Sequence, residues 1–518
     1  MRRIRRTLAT AAALTPLLLT GVSTPASAAS SSLTVDTLGR SGAKVATSGE
    51  VLSLTTGQSY QFTSGRALSL PAGRYGVVVD IWNSKDQTDT MGSQLVTVSG
   101  RTTTTIDARK GRPLSIRLDH APANVQESYY AQLCIGSSPM GAGAWGSPGK
   151  FYVIPSSSSQ VHLGYLASWG QPMTATDVYS VSGQTNGVPS TPTVTFKAAS
   201  LASVHVQAKR GPEGTSDVDF SLQPLSTTNS CQNRLFQEFY RGAPPFAMTA
   251  HVSAGTWAVR SDEMDDATNA DFGGVEADRQ FQAGGHYAQG LYANTWGPVG
   301  SQPSTWYGRL DFQPDMFTDP TVAYAHEAAA KYTGTLVEGG KVVSSHSWTD
   351  MGPVPGSWEP HVSSKGWYTV NIAAQRYYPG IHYPAGMLST ASTVSVHYYI
   401  NPAVNAYAPA YLTSFDPQGL GMDDQAAPKS STRVTLWLDH QGGDQSIADH
   451  RGTVSSVKVW ASFDGGVTWQ AVSVTHTGGT WAALVPNAAS GAVSLRSTVN
   501  DTDGSSATTT VYRAYAIG

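Results

Sequence analysis

Hydrophobic and polar residues alternate with a period of two in many short segments of this chain. Segment 456–461, with the letters SVKVWA, places two valines and an alanine on one side and their neighbours on the other. That period lets one face of a β-strand pack inward while the other face meets solvent. A return strand follows the Asp-Gly-Gly turn at 464–466, so the pattern predicts a β-hairpin.

The same pattern recurs along the chain, for example in GRYGVVVDIW at 73–82 and STVSVHYYI at 392–400. Turn residues separate such segments, among them Pro-Asn at 486–487 and Asp-Gly at 503–504. Closely spaced short strands joined by polar turns are typical of β-sandwiches. We therefore predict an all-β chain of tandem β-sandwich domains, of immunoglobulin-like or carboxypeptidase-regulatory-like type.

Segment 462–469, SFDGGVTW, matches the Asp-box pattern S-x-D-x-G-x-T-W found on the blades of sialidase-like propellers. A propeller repeats its unit several times around an axis, and the sequence contains a single copy. We therefore expect Asp464 to cap a tight hairpin and Trp469 to pack beside it.

Length and composition favour several domains. The 518 residues include 52 glycines and 29 prolines, and 13% charged residues beside 40% hydrophobic ones suit a turn-rich secreted β protein with several cores. The predicted divisions are a signal peptide at 1–28, a β-sandwich module at 29–119, a larger β-sandwich domain at 120–305, a third at 306–424 and a carboxy-terminal immunoglobulin-like domain at 425–518.

The amino terminus has the pattern of an export signal. Four arginines within the first six residues precede an apolar segment at 8–22, which is short for a membrane span, and Ala26-Ser27-Ala28 is a small-residue cleavage pattern. We predict cleavage after Ala28 and an extracellular location. The Arg5-Arg6 pair leaves twin-arginine export open, but the general secretory route is favoured.

Charge argues against two classes of partner. Cleavage would remove four of the 33 basic residues and leave 29 against 36 acidic ones, a net charge of −7. A mildly acidic protein has no electrostatic basis for binding nucleic acid or anionic membrane surfaces. No later segment is long and apolar enough to predict a membrane span.

The chain has two cysteines, Cys134 and Cys231. An even pair in an exported chain indicates a disulfide, and two cysteines are too few for a cysteine-based zinc site. The bridge would close a loop of almost a hundred residues, which is worth about 4 to 5 kcal/mol in the chain-entropy model.

Two residue sets have both a binding and a structural interpretation. The first consists of aromatic residues that could line a sugar-binding face but more often fill sandwich cores. The second is the densest acidic stretch, where a calcium site is conceivable, but the Asp-x-Asp-x-Asp-Gly spacing is absent and a solvated loop is favoured. The sets are Trp145, Trp169, Trp257 and Trp296, and Asp262, Glu263, Asp265, Asp266 and Asp271.

Motifs that carry catalysis are absent from the sequence. Segment 326–331, HEAAAK, has helical composition and predicts a short helix or turn, but it lacks the second histidine of a zincin. Gly214-Thr215-Ser216 is followed by Asp-Val, and neither a G-x-S-x-G elbow nor a nucleotide-binding loop occurs. We therefore assign no catalytic, cofactor-binding or metal-binding residue.

Several segments follow one another in a characteristic order: LPAGRYGVVVDIW and VTVSGRTTTTIDARKGRPLSI early, GWYTVNIAAQR and STVSVHYYI in the middle, and VKVWASFDGGVTWQAV near the end. Their order resembles the non-catalytic, β-rich C-terminal region of large secreted subtilisin-like serine proteases of actinobacteria. In such proteases the modules follow a separate catalytic domain. The D-[ST]-G and H-G-T-H motifs of that domain are not found here, and G-T-S-M-A is matched only in its first three letters.

Two hypotheses from different classes follow. The favoured one is a secreted, non-catalytic multi-domain β protein that binds a cell-wall polymer, an extracellular protein or a secreted protease. The alternative is a secreted hydrolase that acts on glycans or peptides through paired carboxylates, which need spatial proximity and no sequence motif. An open cleft with two facing carboxylates would favour the hydrolase.

Overall fold

The computed structural model describes residues 31–123, 125–136, 141–170, 176–210, 217–225, 231, 235, 237–265, 270–293, 295–299, 303–320, 324–326, 329–350, 358–380, 382–439 and 453–518. The predicted signal peptide and its cleavage position lie outside these residues. Within them the chain forms 40 β-strands, two short 3-10 helices and no α-helix. The predicted all-β fold class of tandem sandwiches is confirmed.

The strands of the first half are short to medium in length. Their bounds are β1 (Ser32–Leu38), β2 (Ser48–Ser53), β3 (Ser59–Thr63), β4 (Ala67–Ser69), β5 (Gly73–Asn83), β6 (Thr88–Val98), β7 (Arg101–Asp107), β8 (Arg112–Pro113), β9 (Ser115–Leu118), β10 (Gln126–Ile135), β11 (Gly141–Gly146), β12 (Phe151–Val153), β13 (Val161–Gly170), β14 (Asp177–Asn186), β15 (Thr193–Phe196), β16 (Ala202–Ala208), β17 (Asp217–Leu225), β18 (Gln237–Gly242) and β19 (Phe246–Val252). The 3-10 helices are Ala108–Lys110 and Ala198–Ser200.

The second half contains several longer strands. Their bounds are β20 (Gly255–Asp265), β21 (Ala270–Phe281), β22 (His286–Leu291), β23 (Gly297–Val299), β24 (Ser304–Trp306), β25 (Arg309–Asp311), β26 (Asp315–Thr318), β27 (Tyr324–His326), β28 (Ala330–Glu338), β29 (Lys341–Asp350), β30 (Gly366–Arg376), β31 (Ala391–Ile400), β32 (Ala406–Tyr407), β33 (Leu412–Pro417), β34 (Gln425–Ala426), β35 (Ser431–Asp439), β36 (Val454–Ser462), β37 (Gln470–Thr477), β38 (Thr480–Pro486), β39 (Gly491–Asp501) and β40 (Ser506–Ile517).

Three sheets stack in the amino-terminal part, in the orders β4-β1-β7, β3-β2-β5-β6-β12-β8 and β11-β10-β13-β14-β19-β16-β22. Strand β5 of the middle sheet is buried on both faces. Val77 and Val79 enter the core against the first sheet, whereas Val78 enters the core against the third. Successive strand residues point to opposite faces, so one strand supplies two cores.

The carboxy-terminal part is organised by a twelve-stranded sheet, called here the long sheet. Its order is β29-β28-β30-β31-β40-β39-β36-β37-β38-β35-β33, with β34 paired beside β40. Val394 and Val396 of β31 pack into one core and Val457 and Val459 of β36 into another. The inner side of the long sheet therefore covers two hydrophobic cores in succession.

Strand pairing crosses all three predicted internal boundaries. Strand β12 pairs with β6 across the division at 119/120, β32 pairs with β24 across 305/306, and β31 pairs with β40 across 424/425. Hydrogen-bonded ladders thus join the four predicted β regions, which are not held together by linkers alone.

The described ends of the segment HEAAAK lie in strands and not in the short helix that its composition predicts. His326 ends β27, and Ala330 and Lys331 begin β28, which pairs with β29 and β30 over its whole length. Helix propensity is a weak prior, and a strand partner on each side overrides it. Glu327 and Ala328 lie outside the described residues.

The predicted disulfide is confirmed. Cys134 of β10 is bonded to Cys231, and their Cα atoms lie 5.6 Å apart. Both cysteines are fully buried, so the bridge ties Cys231 to the sheet that contains β10.

Candidate functional site

The outer side of the long sheet carries a continuous polar and aromatic surface, called here the outer face. In β31 the buried residues Val394, Val396 and Tyr398 alternate with half-buried or exposed ones. Direct cross-strand partners share a face, so the outer face can be followed from strand to strand. Its members on β30, β31, β40, β39 and β36 are Trp367, Thr369, Asn371, Thr393, Ser395, His397, Tyr399, Ser506, Thr508, Thr510, Arg496, Thr498, Asn500, Ser456, Lys458 and Trp460.

Hydroxyl and amide groups of the outer face are linked by hydrogen bonds. Thr498 Oγ1 and Thr508 Oγ1 lie 2.9 Å apart, and Asn500 Nδ2 donates to Ser456 Oγ at 2.9 Å. Each of these groups has further donor or acceptor capacity. The surface thus offers hydrogen bonds to a ligand from side chains that are already positioned.

One end of the outer face has an aromatic platform, made of Trp367, His397 and Tyr399. Trp367 and Tyr399 are directly opposite across β30 and β31, and their side chains are 41% and 49% exposed. The indole of Trp367 stacks on the imidazole of His397, with ring centroids 5.0 Å apart and planes at 16°. His397 Nδ1 is in turn 2.9 Å from Thr369 Oγ1 on the neighbouring strand, so a hydrogen bond within the sheet positions the imidazole.

The other end of the outer face has a shallow groove of about 440 Å³, called here the threonine groove. The guanidinium of Arg496 lies 4.0 Å from the ring centroid of Trp469, and Arg496 Nε donates to Thr510 Oγ1 at 3.2 Å. This arrangement is a cation–π contact. The groove is lined by Thr393, Trp460, Trp469, Arg496, Thr498, Thr508 and Thr510.

The Asp-box turn positions Trp469 at the groove. Asp464 accepts hydrogen bonds from Ser462 Oγ at 2.7 Å and from the backbone N–H groups of Val467 and Thr468 at 3.1 and 2.9 Å. Hydrogen bonds from the Thr468 hydroxyl first, and from its backbone N–H next, lower the pKa of Asp464 to about 2. The indole N–H of Trp469 donates to Gly466 O at 2.9 Å. The prediction that Asp464 caps the hairpin and Trp469 packs beside it is confirmed.

Register gives the distance between the two ends. Cross-strand partners connect Trp460 on β36 to Ala373 on β30, four strands away. Ala373 is in turn six residues along β30 from Trp367. At about 3.3 Å per residue and about 4.8 Å per strand, the two ends lie roughly 27 Å apart. A long, linear ligand could therefore reach both.

The tryptophans singled out in the sequence lie elsewhere. Trp169, Trp257 and Trp296 are buried in the cores, so the structural interpretation is confirmed for them and they form no sugar-binding face. The side chain of Trp145 lies outside the described residues. The sequence signal that could have identified the exposed aromatic residues is their position within a strand. Trp367 and Tyr399 each stand beside a buried tyrosine in an alternating segment, so they belong to the opposite face.

The acidic stretch is not the loop that the sequence predicts. Asp262, Glu263 and Asp265 belong to β20 and Asp271 belongs to β21, and these two strands pair with each other. Asp266 lies outside the described residues, as does Gly214-Thr215-Ser216. No group of three or more His, Cys, Asp or Glu side chains suited to a metal ion occurs in the described ranges.

A second candidate site is a pair of carboxyl groups on β5 and β6, Asp80 and Asp89. Burial first, and the charge of Asp89 next, raise the pKa of Asp80 to about 7, and burial also raises that of Asp89. The two carboxyl groups lie close enough for each to change the pKa of the other, and a proton on Asp80 removes the repulsion between two negative charges. Asp80 also lines a pocket of about 240 Å³ together with Glu50 and Gln61.

Comparisons with known proteins give no family. No protein-family model matches the chain, and no curated protein matches it. None of the described residues forms a helix long and apolar enough to cross a bilayer.

Three solved structures show similarity at low identity. A Salmonella alpha-2-macroglobulin is 10% identical with a TM-score of 0.18, over 91% of this chain and 37% of its own length. The immunoglobulin domains 1–5 of Sidekick-1 are 10% identical with a TM-score of 0.11, over 90% of this chain and 92% of theirs. A trypsin-activated alpha-2-macroglobulin from Escherichia coli is 8% identical with a TM-score of 0.14, over 94% of this chain and 42% of its own.

The chain therefore spans less than half the length of either macroglobulin. Because these TM-scores are low, the fold assignment rests on the strand pairing of this chain itself.

Proposed function

We propose that this chain is a secreted, non-catalytic protein that binds a cell-wall polysaccharide on the outer face of its long sheet. The observation that carries the proposal is the aromatic platform, in which the exposed rings of Trp367 and Tyr399 lie 5.8 Å apart with their planes at 76°. Ring faces pack against the C–H faces of sugars, and neighbouring hydroxyl and amide groups exchange hydrogen bonds with sugar hydroxyls.

The geometry supports a polymer more than a single sugar. The platform and the threonine groove lie on one surface, with Ser395, Thr508 and Thr498 in a row between them. A flat surface offers little enclosure to a small molecule, which usually binds in a cleft that covers most of its surface. A chain of several sugars gains contacts at both ends.

Two features that are independent of the outer face support the secreted location in this proposal. The amino-terminal basic and apolar segments have the pattern of an export signal, and the buried disulfide suits an oxidising compartment. By resemblance to the regions that follow the catalytic domains of secreted subtilisin-like proteases, such a binding surface would hold a protease near its polymer.

The test is a retention assay on insoluble peptidoglycan, chitin and cellulose with residues 29–518. We expect retention on one of them, and we expect the double variant Trp367→Ala/Tyr399→Ala to lose most of it. Trp437→Ala is the matched control, because Trp437 is 52% exposed on β35, outside the outer face. Equal retention by the double variant and the wild type would reject the outer face as the binding site.

A hydrolase is the second candidate, and the Asp80–Asp89 pair favours it. Two carboxyl groups that share a proton can act as acid and base, as in aspartic proteases. Because that arrangement is known from peptide-cleaving enzymes, this pair would suit peptides better than glycans. Release of peptide from casein by the wild type but not by Asp80→Asn would establish hydrolase activity and overturn the hypothesis of a non-catalytic protein.

A further inference from the structure

The turn between β39 and β40 contains a carboxylate buried without compensation. Along β39, Val499 is buried, Asn500 is half-buried and Asp501 is buried again, so the side chain of Asp501 points into the end of the sandwich. Asp501 is 5% exposed, and neither of its carboxylate oxygens has a hydrogen-bond partner among the described residues. A buried carboxylate is normally hydrogen-bonded, paired with a cation or bound to a metal.

A second carboxylate stands in the same turn. Asp503 is exposed, and its Oδ1 and Oδ2 accept hydrogen bonds from Ser505 N at 2.9 Å and from Ser505 Oγ at 3.1 Å. The two aspartates are close enough to interact, since burial first and the negative charge of Asp503 next raise the pKa of Asp501 to about 6. The turn thus concentrates negative charge around a carboxylate that lacks a counter-charge.

Backbone geometry closes the turn tightly around Asp501. Asp501 N donates to Ser505 O at 2.9 Å, and Thr502 N donates to Thr453 O at 2.9 Å. Carbonyl oxygens have two lone pairs, so each of these acceptors keeps one for a further ligand. Carboxylate and carbonyl oxygens at irregular angles suit Ca²⁺, whereas Mg²⁺ demands nearly ideal octahedral geometry and keeps most of its water.

We propose that the Asp501–Ser505 turn binds a calcium ion, with Asp501 as the buried ligand and Asp503 as the second carboxylate. Water and backbone carbonyls complete the oxygen ligands, because the described residues offer no third acidic or histidine side chain there. A site with two carboxylates belongs to the weak class of extracellular modules, with a Kd of about 0.1 to 1 mM.

The site lies against the aromatic platform. A Cβ atom on Gly504 would be 3.2 Å from Cη2 of Trp367, so the turn and the indole are in contact. A bound cation would therefore fix the turn on which Trp367 rests. This link to polysaccharide binding depends on the proposed function, whereas the calcium site itself does not.

The test is calorimetric titration of Ca²⁺ into residues 29–518 after removal of cations with a chelator. We expect saturable binding by the wild type and an affinity lower by more than about tenfold in Asp501→Asn. Asp262→Asn, in the acidic stretch of β20 and β21, is the matched control and should bind like the wild type. Absence of saturable heat in the wild type, or loss of binding in Asp262→Asn alone, would overturn the proposal.

Two further measurements test the proposal even if the Asp501→Asn variant does not fold. Asp503→Asn changes an exposed residue and should also weaken Ca²⁺ binding. Terbium, a luminescent substitute for Ca²⁺, should be sensitised by Trp367, and Trp367→Phe should lower that emission while leaving calorimetric Ca²⁺ affinity unchanged. Undiminished affinity in Asp503→Asn together with unchanged terbium emission in Trp367→Phe would place the ion elsewhere.

Discussion

The indole of Trp367 lies nearly parallel to the imidazole of His397, with the ring centroids 5.0 Å apart, on neighbouring strands of one sheet. The stacking restricts the indole plane, and Trp367 is still 41% exposed. Little side-chain entropy is then lost when a ligand packs on it, which is the advantage of a preorganised binding surface.

The two ends of the outer face should contribute independently to polysaccharide binding. Trp367→Ala and Trp469→Ala should each weaken binding by about 1 to 2 kcal/mol, a factor of about 5 to 30. Because the ends lie roughly 27 Å apart, the effects should add in the double variant. Depletion isotherms on the polymer that retains the wild type measure this, and a double variant no weaker than either single one would contradict it.

Calcium should strengthen retention through Trp367 if both proposals hold. Removal of Ca²⁺ with a chelator should lower retention of the wild type on its polymer and leave that of Trp367→Ala unchanged. The reason is the contact between Gly504 and the indole, which transmits order in the turn to the platform. Equal retention of the wild type with and without Ca²⁺ would show that the cation site does not influence polysaccharide binding.

The Asp80–Asp89 pair should make stability depend on pH. The folded-state pKa of Asp80 is raised to about 7 from 3.8, chiefly by burial, so the folded protein holds a proton that the unfolded chain releases. The contribution of Asp80 to the free energy of unfolding should therefore be greatest below about pH 4 and should fall as pH rises toward 7.

Asp80→Asn should flatten that dependence and should stabilise the protein at pH 8 relative to the wild type. Urea unfolding at pH 5 and pH 8 measures both effects. Asp86→Asn, in the exposed turn between the same two strands, should keep the wild-type slope. An unchanged slope in Asp80→Asn would contradict the assignment.

Gly466 should be required for the Asp-box turn. Its φ is 94°, and a Cβ atom there would lie 2.6 Å from Cε1 of Tyr512. Gly465 has a φ of 75° and nothing within 4 Å of such an atom. Gly465→Ala should cost about 1 to 2 kcal/mol from backbone conformation alone, and Gly466→Ala should cost clearly more because of the overlap. Guanidinium unfolding would decide, and equal losses would contradict this account.

The disulfide should contribute about 4 to 5 kcal/mol, since it closes a loop with a sequence separation of 97. The double variant Cys134→Ala/Cys231→Ala removes the bridge without leaving a free thiol. Its free energy of unfolding should match that of the reduced wild type, and a reductant should not change it further. A loss below about 1 kcal/mol would show that the loop is already constrained in the unfolded chain.

The sequence by itself determined the fold class, the disulfide and the Asp-box hairpin. Each depends on local information, because the period of two specifies a strand and Asp464 finds its donors within four residues. The cysteine pair needed only a count, since Cys134 had no other possible partner within the chain than Cys231.

Only the tertiary structure decided which aromatic rings face solvent. Trp296 and Trp367 each stand next to a glycine in the sequence, yet one is buried and the other is 41% exposed. The outer face exists because β31 pairs with β40, more than a hundred residues away in sequence. Such pairing is set by the packing of distant cores, and nothing local to either strand encodes it.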